Sequence, residues 1–509
     1  METNGMKKSI LLKLSAITFL MAGVVFCGCS NSNDEPIEPI EPVGPKTYTL
    51  TIEASKGGSA ETRVLTPGTN SLVSTWGKDD QVFVKHGSTW CDGSLKPQSE
   101  EQTTTLRGMI TFNGEVKVND DLTFQYPRES IDYTEQDGTL ESIAAKYDYS
   151  VATAKVGEVG ANAITVTGFS GFANQQAIVK FTLKDKAGAN ISATSLTISA
   201  TGLKTSNSTT GDIIVTPTSA KNELYVALSG INNKTVTLIA KTATDTYIYE
   251  KSGVTFSDDK YYEITVKMVN IRSIPLTFEA VSGGEINLVF HNHSGGIVDY
   301  KVDNGSWVIP TSYTSTLYLT GTKFSFRGNN ASYYPYSENP SFFQCSADCY
   351  VYGNIMSLVN GKDALGEDAF AHATELTGND AFRELFKFKG SEGYLGKIKS
   401  NQNKPLLLPA TTLAPNCYQS MFEGCTELER APVLPASSLW ESCYESMFSG
   451  CSKLNYIKCL ATDISADKCT KNWVYGVAEE GTFVKAANAD WSNKDTYDGI
   501  PSGWTVTSE

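Results

Sequence analysis

The sequence predicts a mainly β protein that has several modules and ends in a solenoid of short repeats. Apolar and polar residues alternate with the period of two that is typical of strands, for example over 224–228 and 262–268. No helical pattern separates these strands, which argues against a doubly wound sheet. Near the C-terminus a segment recurs at an offset of 26 residues. Units of that size bury their apolar faces only by stacking, so the repeat predicts a solenoid.

Length and composition limit the classes of protein that fit. The 509 residues correspond to three or four domains at about 150 residues per domain. The formal net charge is −14, which argues against a nucleic-acid partner because a phosphate backbone needs clustered Lys and Arg. Aromatic residues make up 10% of the chain, enough to build cores, and this excludes wholesale disorder. The chain has only 4 histidines, so few imidazole side chains are available for metal binding or acid–base catalysis.

The N-terminus has the pattern of a secretory signal. Lys7, Lys8 and Lys13 precede an apolar run over 14–26, which is too short for a transmembrane helix of about 20 residues. The letters FCGC at 26–29 resemble a bacterial lipobox. The resemblance implies a signal peptide over 1–28 and an acyl chain such as palmitate on Cys29. The alternative is a cleaved, soluble secreted protein.

A proline-rich linker is expected over 29–46. Its prolines recur every third residue, at Pro36, Pro39, Pro42 and Pro45. Polyproline II has three residues per turn and rises ~3.1 Å per residue, so the stretch predicts a stiff spacer. The acidic residues soon after Cys29 resemble the signal that sends some lipoproteins to the outer face of the outer membrane. A lipid-anchored location facing the cell exterior is therefore expected.

The next 220 or so residues, roughly 46–270, carry motifs of a known family. The stretches that carry the resemblance read ETRV at 61–64, WGKDDQVFV at 76–84 and FSDDKYYEITV at 256–266. They resemble fimbrillin-like proteins, which implies two transthyretin-like β-sandwiches, over 47–165 and 166–270. Trp76 as an individual residue is more simply interpreted as a core aromatic.

Arg63 is a candidate site of proteolytic processing. In fimbrillins an Arg-specific protease cuts after an early arginine, and loss of the first strand opens a groove that a neighbouring subunit's strand fills. The alternative is an ordinary exposed arginine. The long continuation after the second sandwich weighs against a shaft subunit, and suits the tip of a fibre or no fibre at all.

Two further regions follow. A small β domain is expected over 274–358, where 324–330 and 353–358 resemble the module that precedes BspA-type repeats. In the repeats, LPA at 408–410 returns at 434–436, and CYQSMFEGC at 417–425 returns as CYESMFSGC at 443–451. A third copy keeps Leu460, Cys469 and Gly476, and an earlier one includes 381–382 and 385–386.

The repeats resemble BspA-like leucine-rich repeats, over about 359–505 and with a cap to 509. The resemblance implies a leucine-rich-repeat α/β solenoid. Within each unit, the Cys-Tyr-x-Ser-Met-Phe segment is predicted to be a short helix that ends at the glycine. Residues 428–433 and 454–459 are predicted to be strands.

Cysteines are concentrated in the repeats. The chain has 11 cysteines; Cys27 leaves with the signal and Cys29 is acylated. The repeat positions are Cys417, Cys425, Cys443, Cys451 and Cys469. Zinc sites favour pairs separated by about two to four residues, which these spacings fit poorly. We expect small, buried core residues, with disulfides between adjacent coils as the alternative, and no metal or cofactor.

No catalytic motif is present: the chain has no P-loop, no Gly-x-Ser-x-Gly elbow and no His-Glu-x-x-His helix. The resemblances imply a non-catalytic, surface-exposed adhesin or fimbria-associated subunit, at the tip or accessory. Such a protein binds a host or bacterial surface protein or glycan, or other fimbrillin subunits. Its candidate binding face consists of exposed strand residues of the repeats: Glu429, Arg430, Asn455 and Lys458.

The alternative function is a glycan-binding surface lipoprotein of a polysaccharide-uptake system. Aromatic side chains would then stack on sugar rings. The candidates are Tyr133, Tyr333, Tyr334 and Tyr336.

Overall fold

The computed structural model describes residues 44–55, 66–67, 72–73, 75–129, 131–334, 339–361, 369–492 and 497–509. Cys29, Arg63 and Tyr336 lie outside these residues, as do the signal peptide and nearly all of the linker. The described part is mainly β, as expected, and its α-helices are short: α1 (Leu140–Lys146) and α2 (Ser357–Asn360). None of the helices in these ranges is long and apolar enough to span a membrane.

The first β module contains one large sheet. The strands are β1 (Lys46–Ser55), β2 (Thr66–Pro67), β3 (Leu72–Val73), β4 (Phe83–His86), β5 (Thr89–Trp90), β6 (Lys96–Pro97), β7 (Thr103–Phe112), β8 (Asp121–Tyr126), β9 (Ser150–Val159), β10 (Ala163–Thr167) and β11 (Ala173–Asn174). β1 lies inside the nine-stranded sheet, parallel to β10 and antiparallel to β7. Bridges from Leu95 to Val82 and from Asp92 to Thr111 draw its two ends together. The rolled sheet encloses a core that includes the fully buried Trp76.

The second β module is a sandwich of two sheets. Its strands are β12 (Ala177–Lys184), β13 (Ser195–Ala200), β14 (Ile213–Val215), β15 (Glu223–Leu228), β16 (Ile231–Lys241), β17 (Thr246–Phe256), β18 (Tyr261–Lys267) and β19 (Val269–Asn270). The three-stranded sheet β15-β12-β18 and the five-stranded sheet β14-β13-β16-β17-β19 enclose one core. Helix α1 and Tyr133 also pack into this core, although the following strand, β9, belongs to the first module.

A third β module follows a 3₁₀ turn at Ile271–Ser273. Its strands are β20 (Leu276–Ala280), β21 (Ile286–His291), β22 (Val298–Val302), β23 (Thr316–Gly321), β24 (Lys323–Gly328), β25 (Phe342–Cys345) and β26 (Cys349–Asn354). Two short strands from later in the chain, β27 (Ile398–Lys399) and β28 (Leu406–Leu407), add to β26 in parallel. The third module is thus joined to the repeat region by backbone pairing.

The repeat region forms a stack of coils over 369–509. It contains a 3₁₀ turn at Ala369–His372 and a parallel sheet of β29 (Tyr456–Cys459), β30 (Thr482–Lys485) and β31 (Thr505–Ser508). The predicted strand over 454–459 is therefore present as β29. Over 428–433 there is only a bridge, from Arg430 to Tyr456.

The predicted helix in each repeat is wrong, because the segment is a run of tight turns. Successive backbone N–H groups alternate between acceptors in their own coil and acceptors in the next coil. The Cys417 N–H donates to the Ala414 carbonyl of its own coil, whereas the Tyr418 N–H donates to the Cys443 carbonyl of the next coil. Every fourth residue has a positive φ, as in Asn416 at 57° and Ser420 at 53°. An α-helix of L-residues does not accommodate such residues, so the stack has no α-helical layer in its described residues.

Aromatic rings of successive coils form columns through the stack, and Tyr418–Tyr444 and Phe422–Phe448 are pairs at the repeat offset of 26 residues. One column runs through Tyr333, Phe382, Tyr418, Tyr444, Trp473 and Trp491 with centroid spacings of 5.4–6.2 Å. A second runs through Phe343, Phe386, Phe422 and Phe448. The early copy at 381–386 is thus a true coil. Because each column begins in the third β module, one continuous core extends from Leu276 to Trp504.

Candidate binding cleft

The second β module and the coil stack enclose a cleft of about 690 Å³. The β-module wall comes from the turn after β16 and the 3₁₀ turn at 271–273, and the opposite wall from the repeat strands. Its polar and charged lining consists of Lys241, Thr244, Asp245, Thr246, Arg272, Thr374, Lys399, Ser400, Asn401, Gln402, Thr411, Arg430, Tyr456 and Lys458. Its volume is in the range of sites that hold small molecules or short oligomers.

The four predicted face residues divide into two pairs. Arg430 and Lys458 line the cleft, half-buried on adjacent coils. Glu429 and Asn455 are exposed, and the structure does not bring them into the cleft. They are neighbours across coils, since the Asn455 N–H donates to the Glu429 carbonyl over 2.9 Å.

Arg430 and Tyr456 form a stacked pair in the cleft. The bridge between their backbones aligns the two residues on adjacent coils. The Arg430 guanidinium lies 3.6 Å from the centroid of the Tyr456 ring, a cation–π contact that covers one face of the ring. The Arg430 N–H donates to Ser400 Oγ at 3.2 Å, which ties this coil to the preceding loop.

Three of the cations in the cleft have carboxylate partners. Lys458 Nζ lies 2.6 Å from Glu509, and Arg272 Nε lies 3.3 Å from Asp245. Lys399 Nζ contacts Asp348 at 3.2 Å and Glu427 at 3.4 Å. The hydrogen bond with Asp348, together with these charges, holds the pKa of Lys399 above its ordinary value.

Asp245 is the one carboxylate among the described residues of the lining, and burial alone would raise its pKa. Hydrogen bonds from Asn270 and Thr244 and the charge of Arg272 outweigh burial and hold that pKa below its ordinary value. Asp245 therefore stays ionised at neutral pH and is engaged by Arg272.

The other two cations, Lys241 and Arg430, have no carboxylate partner among the described residues. Lys241 is exposed at the end of β16 and comes from the β-module wall. Arg430 comes from the stack wall. One unneutralised cation thus stands on each wall of the same cleft.

Lys404 holds the two walls together. Its ammonium is mostly buried and lies 2.9 Å from Glu250 of β17 and 3.1 Å from Glu279 of β20. Burial would lower the pKa of Lys404, but the hydrogen bond with Glu250 and the charges of both glutamates raise it above its ordinary value. Asn403 adds a 3.3 Å hydrogen bond to Asp212 in the second β module.

The repeat cysteines all lie in the core. Cys417, Cys425, Cys443, Cys451 and Cys469 are buried, and all nine cysteines of the described residues are free thiols. Cys425 and Cys451 occupy equivalent positions, with their thiols 3.0 and 3.1 Å from the carbonyls of Phe386 and Phe422 in the preceding coils. Burial raises the pKa of Cys417 and Cys425 to about 12. These groups therefore act as core packing in the structure.

Three of the four tyrosines suggested for sugar stacking are buried, and the fourth, Tyr336, lies outside the described residues. Tyr133 and Tyr333 are buried and donate hydrogen bonds to the carbonyls of Gln175 and Leu358. Tyr334 is also buried, with the Arg383 guanidinium 4.3 Å from its ring centroid.

The cleft contains residues that sequence reasoning missed, Lys241 above all. Lys241 belongs to a strand of the second module, and only the docking of that module brings it opposite Arg430. No local motif in the sequence marks that approach. In the described part of the chain, no three His, Cys, Asp or Glu side chains are placed to hold a metal ion.

No protein-family model matches the chain, and no curated protein matches it. A proposed cell adhesion protein from Bacteroides ovatus has 13% identity and a TM-score of 0.29, over 45% of this chain and 96% of that chain. A fimbrial assembly protein from Parabacteroides distasonis has 12% identity and a TM-score of 0.25, over 43% of this chain and 90% of that chain. A proposed cell adhesion protein from Bacteroides uniformis has 15% identity and a TM-score of 0.27, over 43% of this chain and 94% of that chain. All three neighbours are thus described as fimbrial or adhesive proteins.

Proposed function

We propose that this protein is a non-catalytic, surface-exposed lipoprotein of the outer membrane that acts as an adhesin or as a tip or accessory subunit of a fimbria. The observation that most supports this proposal is the cleft beside the coil stack. Its lining includes Arg430 and Lys458, two residues of the predicted binding face. The stack, a leucine-rich-repeat solenoid by sequence resemblance, is the binding part. Cys29 carries the lipid anchor, and the linker lifts the β modules from the membrane.

Rigid attachment of the stack supports this division of roles. The hydrophobic core is continuous from the third β module through the coils, and β27 and β28 pair with β26. A pull on the coils is therefore carried by backbone pairing and packed rings rather than by a flexible linker. An adhesin needs such a path between its binding face and its anchor.

A fimbrial role is supported by the position of β1. All ten residues of β1 pair with β7, and the strand also contacts β10. Cleavage after Arg63 and loss of β1 would leave two neighbouring strands with unpaired backbone groups. A strand from another fimbrillin subunit would fill that groove by β-augmentation.

Non-catalytic binding is supported by the charges of the cleft. Its single lining carboxylate, Asp245, is paired with Arg272, and three of the cations are paired with carboxylates. Among the described residues of the lining, no second carboxylate and no histidine accompany Asp245 as an acid–base partner. The alternative role, glycan capture for polysaccharide uptake, would have to use this cleft, since three of the four suggested tyrosines are buried.

Two measurements test the proposal. The intact mass of the protein extracted from outer membranes should show an acyl chain on Cys29 when Arg63 is uncut. Cleavage after Arg63 would instead give a shorter chain that has lost Cys29 and its acyl group. Cells that display the full chain should adhere to host matrix proteins or glycans. A triple variant of Glu429→Gln, Asn455→Ala and Lys458→Gln should lose most of that adhesion.

The matched control makes the same three changes at exposed positions elsewhere, Glu479→Gln, Asn207→Ala and Lys471→Gln. It should adhere as the parent does. If both variants adhere as strongly as the parent, the repeat face does not contribute to binding. Hydrolysis of a bound glycan by the purified protein would overturn the non-catalytic role.

A further inference from the structure

We propose that the cleft binds an acidic polysaccharide, and that Lys241 and Arg430 contact its carboxylate or sulfate groups from opposite walls. The inference rests on the proposed adhesive function and adds its ligand class. In this cleft, separate modules bring charge, hydrogen-bonding groups and an apolar floor together.

The cleft lining is rich in positive charge. Five of the six charged residues that line the cleft are cations, in a chain of net charge −14: Lys241, Arg272, Lys399, Arg430 and Lys458. Carboxylates neutralise three of them, and Lys241 and Arg430 remain. An unpaired cation on each wall suits a ligand that carries anionic groups on two sides, such as a chain of acidic sugars.

The cleft lining also offers many neutral hydrogen-bonding groups. Besides Tyr456, seven neutral polar side chains line the cleft: Thr244, Thr246, Thr374, Ser400, Asn401, Gln402 and Thr411. Hydroxyl and amide groups both donate and accept hydrogen bonds, and sugar hydroxyls do the same. Such a lining can satisfy a polyhydroxylated ligand, whereas a purely ionic site can satisfy only its anionic groups.

The prolines of the cleft favour a polysaccharide over an acidic peptide as its ligand. The lining includes four prolines: Pro405, Pro409, Pro432 and Pro435. Proline has no N–H, so these positions cannot donate to the main chain of an extended peptide, which is how sheet edges capture peptides. Their rings, with Leu406 and Val433, instead form an apolar floor against which the C–H face of a sugar ring can pack.

The test is binding of the full chain to four immobilised polymers: polygalacturonate, dextran sulfate, neutral dextran and poly-glutamate. We expect binding to polygalacturonate or dextran sulfate and none to dextran. The double variant Lys241→Gln/Arg430→Gln should bind about tenfold more weakly or worse. Arg430→Lys, which keeps the charge, should retain more binding than Arg430→Gln.

A control double variant, Lys251→Gln/Lys471→Gln, removes the same charge from exposed positions of the same two parts of the molecule, outside the cleft lining. It should bind as the parent does. Equal weakening in both double variants would mean non-specific attraction to polyanions and would overturn the proposal. Lys241→Gln alone changes one exposed side chain, so its effect is independent of folding.

Two further outcomes also count against the proposal. Stronger binding to poly-glutamate than to either acidic polysaccharide would assign the cleft to acidic peptides. Adhesion of displaying cells without binding to any of the polymers would overturn the ligand class and leave the adhesive function standing. Failure of displaying cells to adhere to any surface would instead count against the proposed function.

Discussion

The ammonium of Lys404 lies 2.9 Å from the carboxylate of Glu250 and thereby joins the coil-stack side of the molecule to the second β module. A second carboxylate, Glu279, completes the cluster at 3.1 Å and accepts a 2.6 Å hydrogen bond from the hydroxyl of Tyr352. Lys241 and Arg430 belong to different modules, and this cluster, together with the Asn403–Asp212 hydrogen bond, ties those modules to each other beside the cleft. Lys404 is a positioning residue for the cleft.

Replacement of Lys404 by Met should lower the free energy of unfolding by roughly 2 to 3 kcal/mol, because it leaves the half-buried carboxylate of Glu279 and the more exposed one of Glu250 without their main partner. The loss is moderated since Lys323 still lies 3.5 Å from Glu279. Urea unfolding measures the change. Lys251→Met, at an exposed site on β17, is the control and should change stability little. Equal effects of the two changes would show that the cluster does not hold the modules.

Glu279 should make stability depend on pH in the acid range. Burial alone would raise its pKa, but the hydrogen bond from Tyr352 and the charges of Lys404 and Lys323 hold the pKa below its ordinary value. A carboxyl whose folded pKa is lowered stabilises the fold above its unfolded pKa of about 4.3, and this contribution is lost as the pH falls through the folded pKa.

Glu279→Gln should therefore unfold at lower urea than the parent at pH 7, and the difference should shrink below about pH 4. Urea unfolding at both pH values measures it. A difference that stays constant from pH 7 to about pH 3 would contradict the role of the charge.

The sequence predicts the register of the stack but mistakes its local conformation. Tyr418 and Phe422 are four residues apart and both buried, a spacing that also suits a helix. The signal against a helix is the recurrence of small or polar residues at every fourth position, such as Asn416, Ser420 and Gly424, all with positive φ. The cleft is beyond sequence reasoning for another reason, since Lys241 and Arg430 meet only through the packing of distant modules.

Two tyrosines of one aromatic column should respond in opposite ways to loss of the hydroxyl. The Tyr418 hydroxyl is buried and has no hydrogen-bond partner among the described residues. Tyr418→Phe removes this unsatisfied group and keeps the ring, so stability should hold or rise by up to about 1 kcal/mol. Thermal or urea unfolding measures it.

The control is Tyr333→Phe, because the Tyr333 hydroxyl donates to the Leu358 carbonyl at 2.9 Å. That change should lower stability by roughly 1 kcal/mol or more. A loss at Tyr418 as large as the loss at Tyr333 would mean that the Tyr418 hydroxyl has a partner.

The stack cysteines should be unreactive in the folded protein. The thiolate is the nucleophile, and burial raises the pKa of Cys417, Cys425 and Cys459 to about 12. Iodoacetamide at about pH 8 should leave them unmodified in the native state and modify them all in guanidinium without a reductant. Peptide mass spectrometry distinguishes the two states. Cysteines that need a reductant before they react in guanidinium would be disulfides, contrary to the free thiols of the structure.

Two serines of one coil provide a test of the turn ladder itself. Ser446 has a φ of 55°, in the left-handed region, and Ser449 is not among the residues of positive φ. A left-handed residue with a Cβ costs about 1 to 2 kcal/mol, which glycine avoids. Glycine also loosens the unfolded chain, but this cost is the same for both serines. Ser446→Gly should therefore be more stable than Ser449→Gly by about 1 to 2 kcal/mol in urea unfolding.

If the segment were a helix, both changes would cost a similar few tenths of a kcal/mol. Equal losses at the two positions would indicate a helix and would contradict the alternating hydrogen bonds that join one coil to the next.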